Sequence, residues 1–243
     1  MEYILIVGAK SAIAKAIAHT YAQKGYNLYL AARNSVQLED FSRDLRIRYT
    51  CEVSIVELDI LQYETHQAIY ESLKHKPIGV ISVVGYLGTQ ENAQHNSVET
   101  QKITNTNYTG PVNFLNIVAN DFEINKKGFI VGISSVAGDR GRKTNYTYGA
   151  AKAAFSTYLS GLRNRLYAAN VHVLDVKPGF VDTPMTVGMN LPKLLTAQPN
   201  EVAKDIFKAQ QKQKNTLYTK YFWKYIMLII KLIPEPIFKK MNL

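Results

Sequence analysis

Short apolar runs alternate with longer amphipathic stretches along most of the chain. Residues 3–7 (YILIV), 27–31 (NLYLA), 53–57 (VSIVE), 79–84 (GVISVV), 128–134 (GFIVGIS) and 171–176 (VHVLDV) have the length and composition of β-strands, with a weaker seventh at 216–219. Apolar positions at helical spacing predict helices over 11–24, 35–48, 62–74, 98–124, 147–168 and 200–213. Several strand candidates are continuously apolar rather than alternating, as parallel strands covered on both faces are. Repeated strand-helix units with right-handed crossovers predict an α/β fold with a doubly wound parallel sheet. Such sheets bind ligands beyond the carboxyl ends of their strands, where strand order reverses. The loops after residues 7, 31, 57, 84, 134 and 177 are therefore the places to look for chemistry.

Composition narrows the picture. The 243 residues, 47% of them hydrophobic, suffice for one sizeable core, and no linker, repeat or low-complexity tract divides them. Residues 1–219 read as one domain, and 220–243 as a C-terminal amphipathic helical extension. The single cysteine, Cys51, excludes an internal disulfide or a cysteine zinc cluster and fits a reducing, cytoplasmic compartment. The opening "MEYILIVGAK" lacks the features of a signal peptide, and the five histidines show no metal-ligand spacing. The net charge of +10 suits an anionic substrate or membrane surface. No nucleic-acid-binding module accompanies it.

The first loop, "IVGAKSAIAKAIA", joins a strand to a helix. Gly8 would let the backbone turn tightly, and the helix N-terminus would offer N–H groups to a phosphate. Gly8, Lys10, Ser11, Ala12 and Ile13 are thus candidate cofactor-binding residues. Ala12 and Ala14 replace the later glycines of a G-x-x-x-G-x-G pattern, so an ordinary strand-to-helix turn would also fit this stretch. The second loop adds information. A site for NAD would place an acid after "NLYLA" to bind the ribose 2′-hydroxyl. Ala32 and then Arg33 stand there instead, and an arginine suits a 2′-phosphate. NADP(H) is expected over NAD(H), with Lys10 helping, on a Rossmann-like fold.

"YGAAK" places Tyr148 and Lys152 one helical turn apart on one face. An ammonium beside a phenol favours the phenolate, so the pair can pass a proton to a carbonyl oxygen while hydride reaches the carbon. Ser135, in "GISSVAG" at a predicted strand end, can hold and polarise the same carbonyl.

Together these residues resemble the short-chain dehydrogenase/reductase family over essentially the whole chain. The resemblance implies the following roles. Asp59, with Ile60 in "ELDI", matches the acid that binds adenine. Asn107, in "NTNYTG", matches an asparagine that supports a proton relay. Ser135, Tyr148 and Lys152 match the catalytic trio, with Tyr148 and Lys152 also touching the cofactor. Pro178, Gly179, Val181 and Thr183, in "KPGFVDTPM", match the loop that holds the nicotinamide end. Where the family has N-N-A-G, this chain has "SVVG", and only Gly85 survives. A homo-oligomer is implied as well.

The segment "ISSVAGDRGRKTNYTYGAAKAAF" and the tail "YFWKYIMLIIKLIPEPIFKK" are further similar to the reductase half of the bacterial decaprenylphosphoryl-ribose 2′-epimerase pair. They are equally similar to related reductases of sugar and cell-envelope pathways. That similarity implies a keto-sugar substrate, polyprenyl-linked in the epimerase case, and a flavin oxidase partner. A general carbonyl or 3-oxoacyl reductase is the alternative. A non-catalytic NADP-binding partner protein is another, favoured by the altered glycine turn and opposed by the intact trio. Arg140, Arg142 and Lys143, between Ser135 and Tyr148, are candidates for binding a substrate phosphate. The run 221–233 is too short to span a bilayer. Lys224 and Lys231 fall on one side of its helix, and apolar residues cover the rest. Contact of 221–240 with the inner face of an anionic cytoplasmic membrane is one expectation. Packing on its own domain or on a twin subunit is the other. Pro234 and Pro236 should end the helix.

Overall fold

Seven parallel strands form the frame of the molecule, described for residues 2–186, 188 and 192–241 of a computed structural model. In chain order they begin with β1 (Tyr3–Val7), α1 (Ala12–Gln23), β2 (Asn27–Ala32), α2 (Glu39–Tyr49), β3 (Val53–Glu57), α3 (His66–Glu71) and β4 (Gly79–Ser82). There follow α4 (Gln90–His95), α5 (Ser97–Thr104), α6 (Gly110–Asn125), β5 (Phe129–Ile133), α7 (Tyr146–Leu166) and β6 (His172–Pro178). The chain closes with β7 (Phe180–Val181), β8 (Thr196–Ala197), α8 (Pro199–Gln211), β9 (Thr216–Thr219), α9 (Trp223–Leu232) and α10 (Glu235–Phe238).

The main sheet runs β3-β2-β1-β4-β5-β6-β9. Val7 pairs with Ala31 on one side and Ser82 on the other, so strand order reverses at the end of β1. Alternate residues feed two cores. Ile4 and Ile6 pack with Ile17, Tyr21 and Ile206 from α1 and α8. Leu5 and Val7 pack with Phe114, Leu115, Phe155 and Leu159 from α6 and α7. Each fully buried side chain of this size contributes about 1.5–3 kcal/mol. All seven predicted strands are present.

Some boundaries differ from the expectation. The helix predicted over 98–124 is interrupted by a π-helical turn, Asn105–Thr109, between α5 and α6. Such turns insert an extra residue and recur at functional sites; this one carries Asn107. The unexpected α4 exists because two caps meet: Thr89 Oγ1 accepts from Asn92 N, and Asn96 Oδ1 from Val98 N. The stretches 35–48 and 62–74 each begin as 3₁₀ turns, leaving α2 and α3 shorter. The pair β7 and β8, two residues each, is too short to leave a periodic signal.

The tail folds back on the domain. Trp223 and Met227 are buried against Val136, with Phe180, Leu195 and Tyr218 around them. The opposite face, with Tyr221, Tyr225, Leu228, Ile229 and Leu232, is exposed. Packing on its own domain thus accounts for one side of the helix only. Ile233 is extended, and Pro234 precedes α10, so the helix stops where the prolines predict. Among the described residues no helix is long and apolar enough to cross a membrane.

Candidate active site

Three adjoining cavities open at the carboxyl edge of the sheet. The first, of about 220 Å³, is lined by Gly8, Lys10, Ser11, Arg33, Asp59, Ile60 and Gly85. The second, of about 480 Å³, shares Lys10, Ser11 and Gly85 with it. That cavity continues past Ala12 and Ile13 to Ser135, Tyr148, Lys152, Pro178, Gly179, Val181 and Thr183. The third, of about 630 Å³, begins at Tyr148, Asn145 and Arg142 and extends over α4 to Thr89 and Gln94. Every predicted cofactor residue therefore lies on one of two connected cavities. Asn107 is fully buried behind them.

The first loop fits a nucleotide despite its alanines. Gly8 has φ +85°, and a Cβ there would stand 3.1 Å from the Val83 and Val84 backbone. Glycine is required at that point for both conformation and space. Ala12 and Ala14 instead belong to α1, whose right-handed backbone accepts alanine. Ser11 caps this helix, its Oγ accepting from Ala14 N at 3.1 Å. Ala12 and Ile13 of the first turn line the central cavity, and a helix N-terminus favours anions.

At the other end of this cavity, Arg33 is exposed beside Ala32. Its loop is held by Glu57, whose carboxylate accepts from Asn34 N and Ser35 N, each at 2.7 Å. These backbone bonds, Ser35's first among them, hold the Glu57 pKa below its ordinary value. Sequence reasoning passed over Glu57, because its role lies in a loop one strand away. Lys10 is engaged, donating to Gln37 Oε1 at 3.0 Å.

Gly85, the survivor of "SVVG", sits between two functional side chains. A Cβ would lie 3.4 Å from Asn107 Oδ1 and 3.6 Å from Lys152 Nζ. Asn107 locks this strand end to α5. Its Nδ2 donates to Tyr86 O at 2.6 Å and Ile103 O at 2.8 Å, while Oδ1 accepts from Tyr86 N at 3.2 Å.

Ser135 follows β5 as the cap of a short 3₁₀ turn, its Oγ accepting from Ala137 N at 3.1 Å, and lines the central cavity together with Tyr148. Burial pushes the Tyr148 pKa up to about 12, the nearby Ser135 hydroxyl opposing. Lys152 donates to Ile133 O at 3.0 Å and Val84 O at 3.3 Å, which aims its Nζ between β4 and β5. Burial pushes the Lys152 pKa down to about 7, and the negative charge of Asp175 works against that fall. Asp175 is itself buried. It accepts from the hydroxyls of Ser134 and Ser156, and Lys177 stands 3.9 Å away. The sequence expectation was a phenol whose phenolate form is favoured by the neighbouring ammonium. Burial dominates both groups, leaving a protonated phenol at neutral pH. A protonated phenol is poised to donate, the role needed for reducing a carbonyl.

Residues outside the expected set complete the walls. Leu87, Val136, Phe180 and Met185 make the region near Tyr148 apolar. Gly179 makes room for the tail: a Cβ there would lie 2.0 Å from Trp223 Nε1. Arg140, a candidate for substrate phosphate, is committed elsewhere. It donates to the carbonyls of Ile230, Lys231 and Ile233 at the end of α9, pairs with Glu235 at 3.0 Å, and lies over the Phe238 ring. The free carbonyls of a helix end attract a cation, and this one is met from the serine-to-tyrosine loop.

Comparison with known proteins agrees with this geometry. The family model described as short chain dehydrogenase matches residues 2–193. An uncharacterised oxidoreductase of Mycobacterium tuberculosis is 32% identical over 241 residues, 98% of this chain and 96% of the relative. An uncharacterised oxidoreductase of Streptomyces coelicolor is 30% identical over 243 residues, 98% of this chain and 95% of that one. Among solved structures, a short-chain dehydrogenase from Sphingobium yanoikuyae in complex with NADPH superposes with a TM-score of 0.86 at 20% identity, covering 99% of this chain and 96% of its own. A 3-oxoacyl-[acyl-carrier protein] reductase from Brucella melitensis gives 0.79 at 20% identity, covering 89% of each. The chain belongs to the short-chain dehydrogenase family, whose members are NAD(P)-dependent oxidoreductases of alcohol and ketone groups.

Proposed function

We propose that the protein reduces a ketone to an alcohol with NADPH. The observation that carries this reading is the convergence of Ser135, Tyr148 and Lys152 on a cavity that joins one ending at Arg33. The cradle of Gly8, Ser11 and Gly85 fits a dinucleotide, and Arg33 beside Ala32 suits a 2′-phosphate rather than a free hydroxyl. Pro178, Gly179, Val181 and Thr183 would hold the nicotinamide end, Asp59 and Ile60 the adenine. NADPH when bound supplies the hydride. Ser135 holds the carbonyl oxygen, Tyr148 gives it a proton, and the Lys152 ammonium stabilises the resulting phenolate. Asn107 keeps the lysine's surroundings in register by fixing Tyr86 and Ile103.

The finer reading is a keto-sugar, carried on a polyprenyl lipid in cell-envelope biosynthesis and supplied by a flavin oxidase. The groove over α4 carries the polar side chains of Thr89, Gln90 and Gln94, which supports a hydroxylated substrate. The exposed apolar face of α9, with Lys224 and Lys231 beside it, supports contact with an anionic membrane surface at the inner face of the cytoplasmic membrane. Residues 220–243 would then act as a docking extension to a catalytic domain of 1–219, in a homo-oligomer. A second reading, a 3-oxoacyl or general carbonyl reductase, is favoured by the apolar wall of Leu87, Val136, Phe180 and Met185. A substrate panel with NADPH separates them. Faster turnover of keto-sugars than of 3-oxoacyl thioesters supports the first reading, and the reverse order supports the second. Absence of turnover on every ketone, from a protein that binds NADPH, would overturn both.

A further inference from the structure

Arg142 stands where the central and outer cavities meet, beside Tyr148. Its surroundings differ sharply from those of Arg140. Among the described residues the one hydrogen-bond partner of its guanidinium is Met227 Sδ, 3.2 Å from Nη2, and its Nε is buried without a partner. Asp139, the acid whose charge acts on it, is already taken by Lys177 at 2.6 Å and by the Tyr218 hydroxyl at 2.8 Å. Among the described residues no carboxylate pairs with Arg142. Burial lowers its pKa, with the field of Asp139 opposing. Asn145 lines the same two cavities. It precedes α7, where an asparagine ordinarily accepts a helix N–H, yet it makes no such bond and its Oδ1 is buried and unpartnered.

A half-buried cation without an anion bears an uncompensated desolvation cost, and an orphaned acceptor adds its own. Two such groups on one short loop, a donor fork and an acceptor, are complementary to a ligand rather than to the protein. They lie between the proton donor and the outer groove, where the part of a substrate beyond its carbonyl must pass.

We propose that Arg142 and Asn145 form a subsite for an anionic, hydroxyl-bearing part of the substrate. The guanidinium takes the paired oxygens of a phosphate or carboxylate, and Asn145 Oδ1 accepts from a hydroxyl. The tail has a structural part in this, since the arginine's Nη2 rests on Met227 Sδ, which is itself buried beside Trp223. The subsite rests on the reading of Ser135, Tyr148 and Lys152 as a ketone-reducing centre and adds the substrate's charge to it.

The test is calorimetric binding to the protein saturated with NADP⁺, so that the cofactor's own phosphate positions are filled. Ribose 5-phosphate, gluconate and ribose serve as probes. At least one anion should bind about tenfold or more tightly than ribose. Whichever does so identifies phosphate or carboxylate as the anion. Arg142→Met should erase the difference and Arg142→Lys should keep part of it. Asn145→Ala should weaken all three probes. Equal binding of the three probes to the wild type would overturn the proposal, as would an anion preference unchanged in Arg142→Met and Arg142→Lys. Binding does not depend on turnover. An anion preference in a protein that reduces no ketone would therefore refute the proposed reaction and leave the subsite standing.

Discussion

Burial moves Tyr148 and Lys152 in opposite directions, the phenol up to about 12 and the ammonium down to about 7. Their titrations set the pH dependence. As pH rises through about 7 Lys152 loses its proton, and a neutral amine no longer stabilises the phenolate left after proton donation. Reduction should therefore slow above that pH, while the phenol itself stays protonated. A kcat–pH profile checks this, and a rate that rises across the same range would contradict it. Asp175→Asn removes the charge that holds the lysine pKa up, so the same limb should move to lower pH with NADPH binding retained. Arg33 offers a second test. Loss of charge-assisted bonds to a 2′-phosphate costs about 1.5–3 kcal/mol, or about 10- to 150-fold in affinity. Arg33→Ala should weaken NADPH by that factor and leave NADH nearly unchanged in a fluorescence titration. At this scale the trio, Gly8 and Arg33 were legible because their chemistry depends on residue type and spacing. Glu57, Asp175 and Asn145 were not, since their roles come from neighbours brought together only by the fold.

Between Ser135 and Tyr148, one loop ties the tail to the domain. Arg140 gathers the carbonyls at the end of α9, and Gly179 leaves the space that Trp223 fills. Trp223→Ala should destabilise the protein by about 3–5 kcal/mol, the usual cost of truncating a buried aromatic residue. Urea unfolding measures it, and a loss below about 1 kcal/mol would show that the tail is only loosely held. Gly179→Ala should act in the same direction by displacing the indole. The tail's helix, its proline stop and its apolar bias were readable from its residues. Which face turns inward was not, because nearly every side of the helix is apolar and the choice is made by Val136, Phe180 and Gly179. For the same reason the 98–124 stretch read as one helix: its apolar spacing does not reveal the π-helical turn that brings Asn107 to Gly85.

The molecule as a whole presents its catalytic cavities at one edge of the sheet and the outward apolar face of α9 beside them. The strand succession could be read from seven apolar runs, because parallel strands covered on both faces need little else. The small β7–β8 pair escaped for want of length. With net charge +10, and with Lys224, Lys231, Lys239 and Lys240 exposed on the tail, anionic vesicles should retain the protein at low salt and release it as salt rises. Liposome flotation of the intact chain measures this, and equal flotation with neutral vesicles would contradict it. The most direct test of the account is oxidation of NADPH in the presence of a ketone, followed by nicotinamide absorbance for wild type and Tyr148→Phe, with NADPH affinity measured on both. The account predicts that wild type turns over and that Tyr148→Phe still binds NADPH but loses about 10²–10⁴-fold in rate at saturating NADPH. Equal turnover by the two proteins would contradict it.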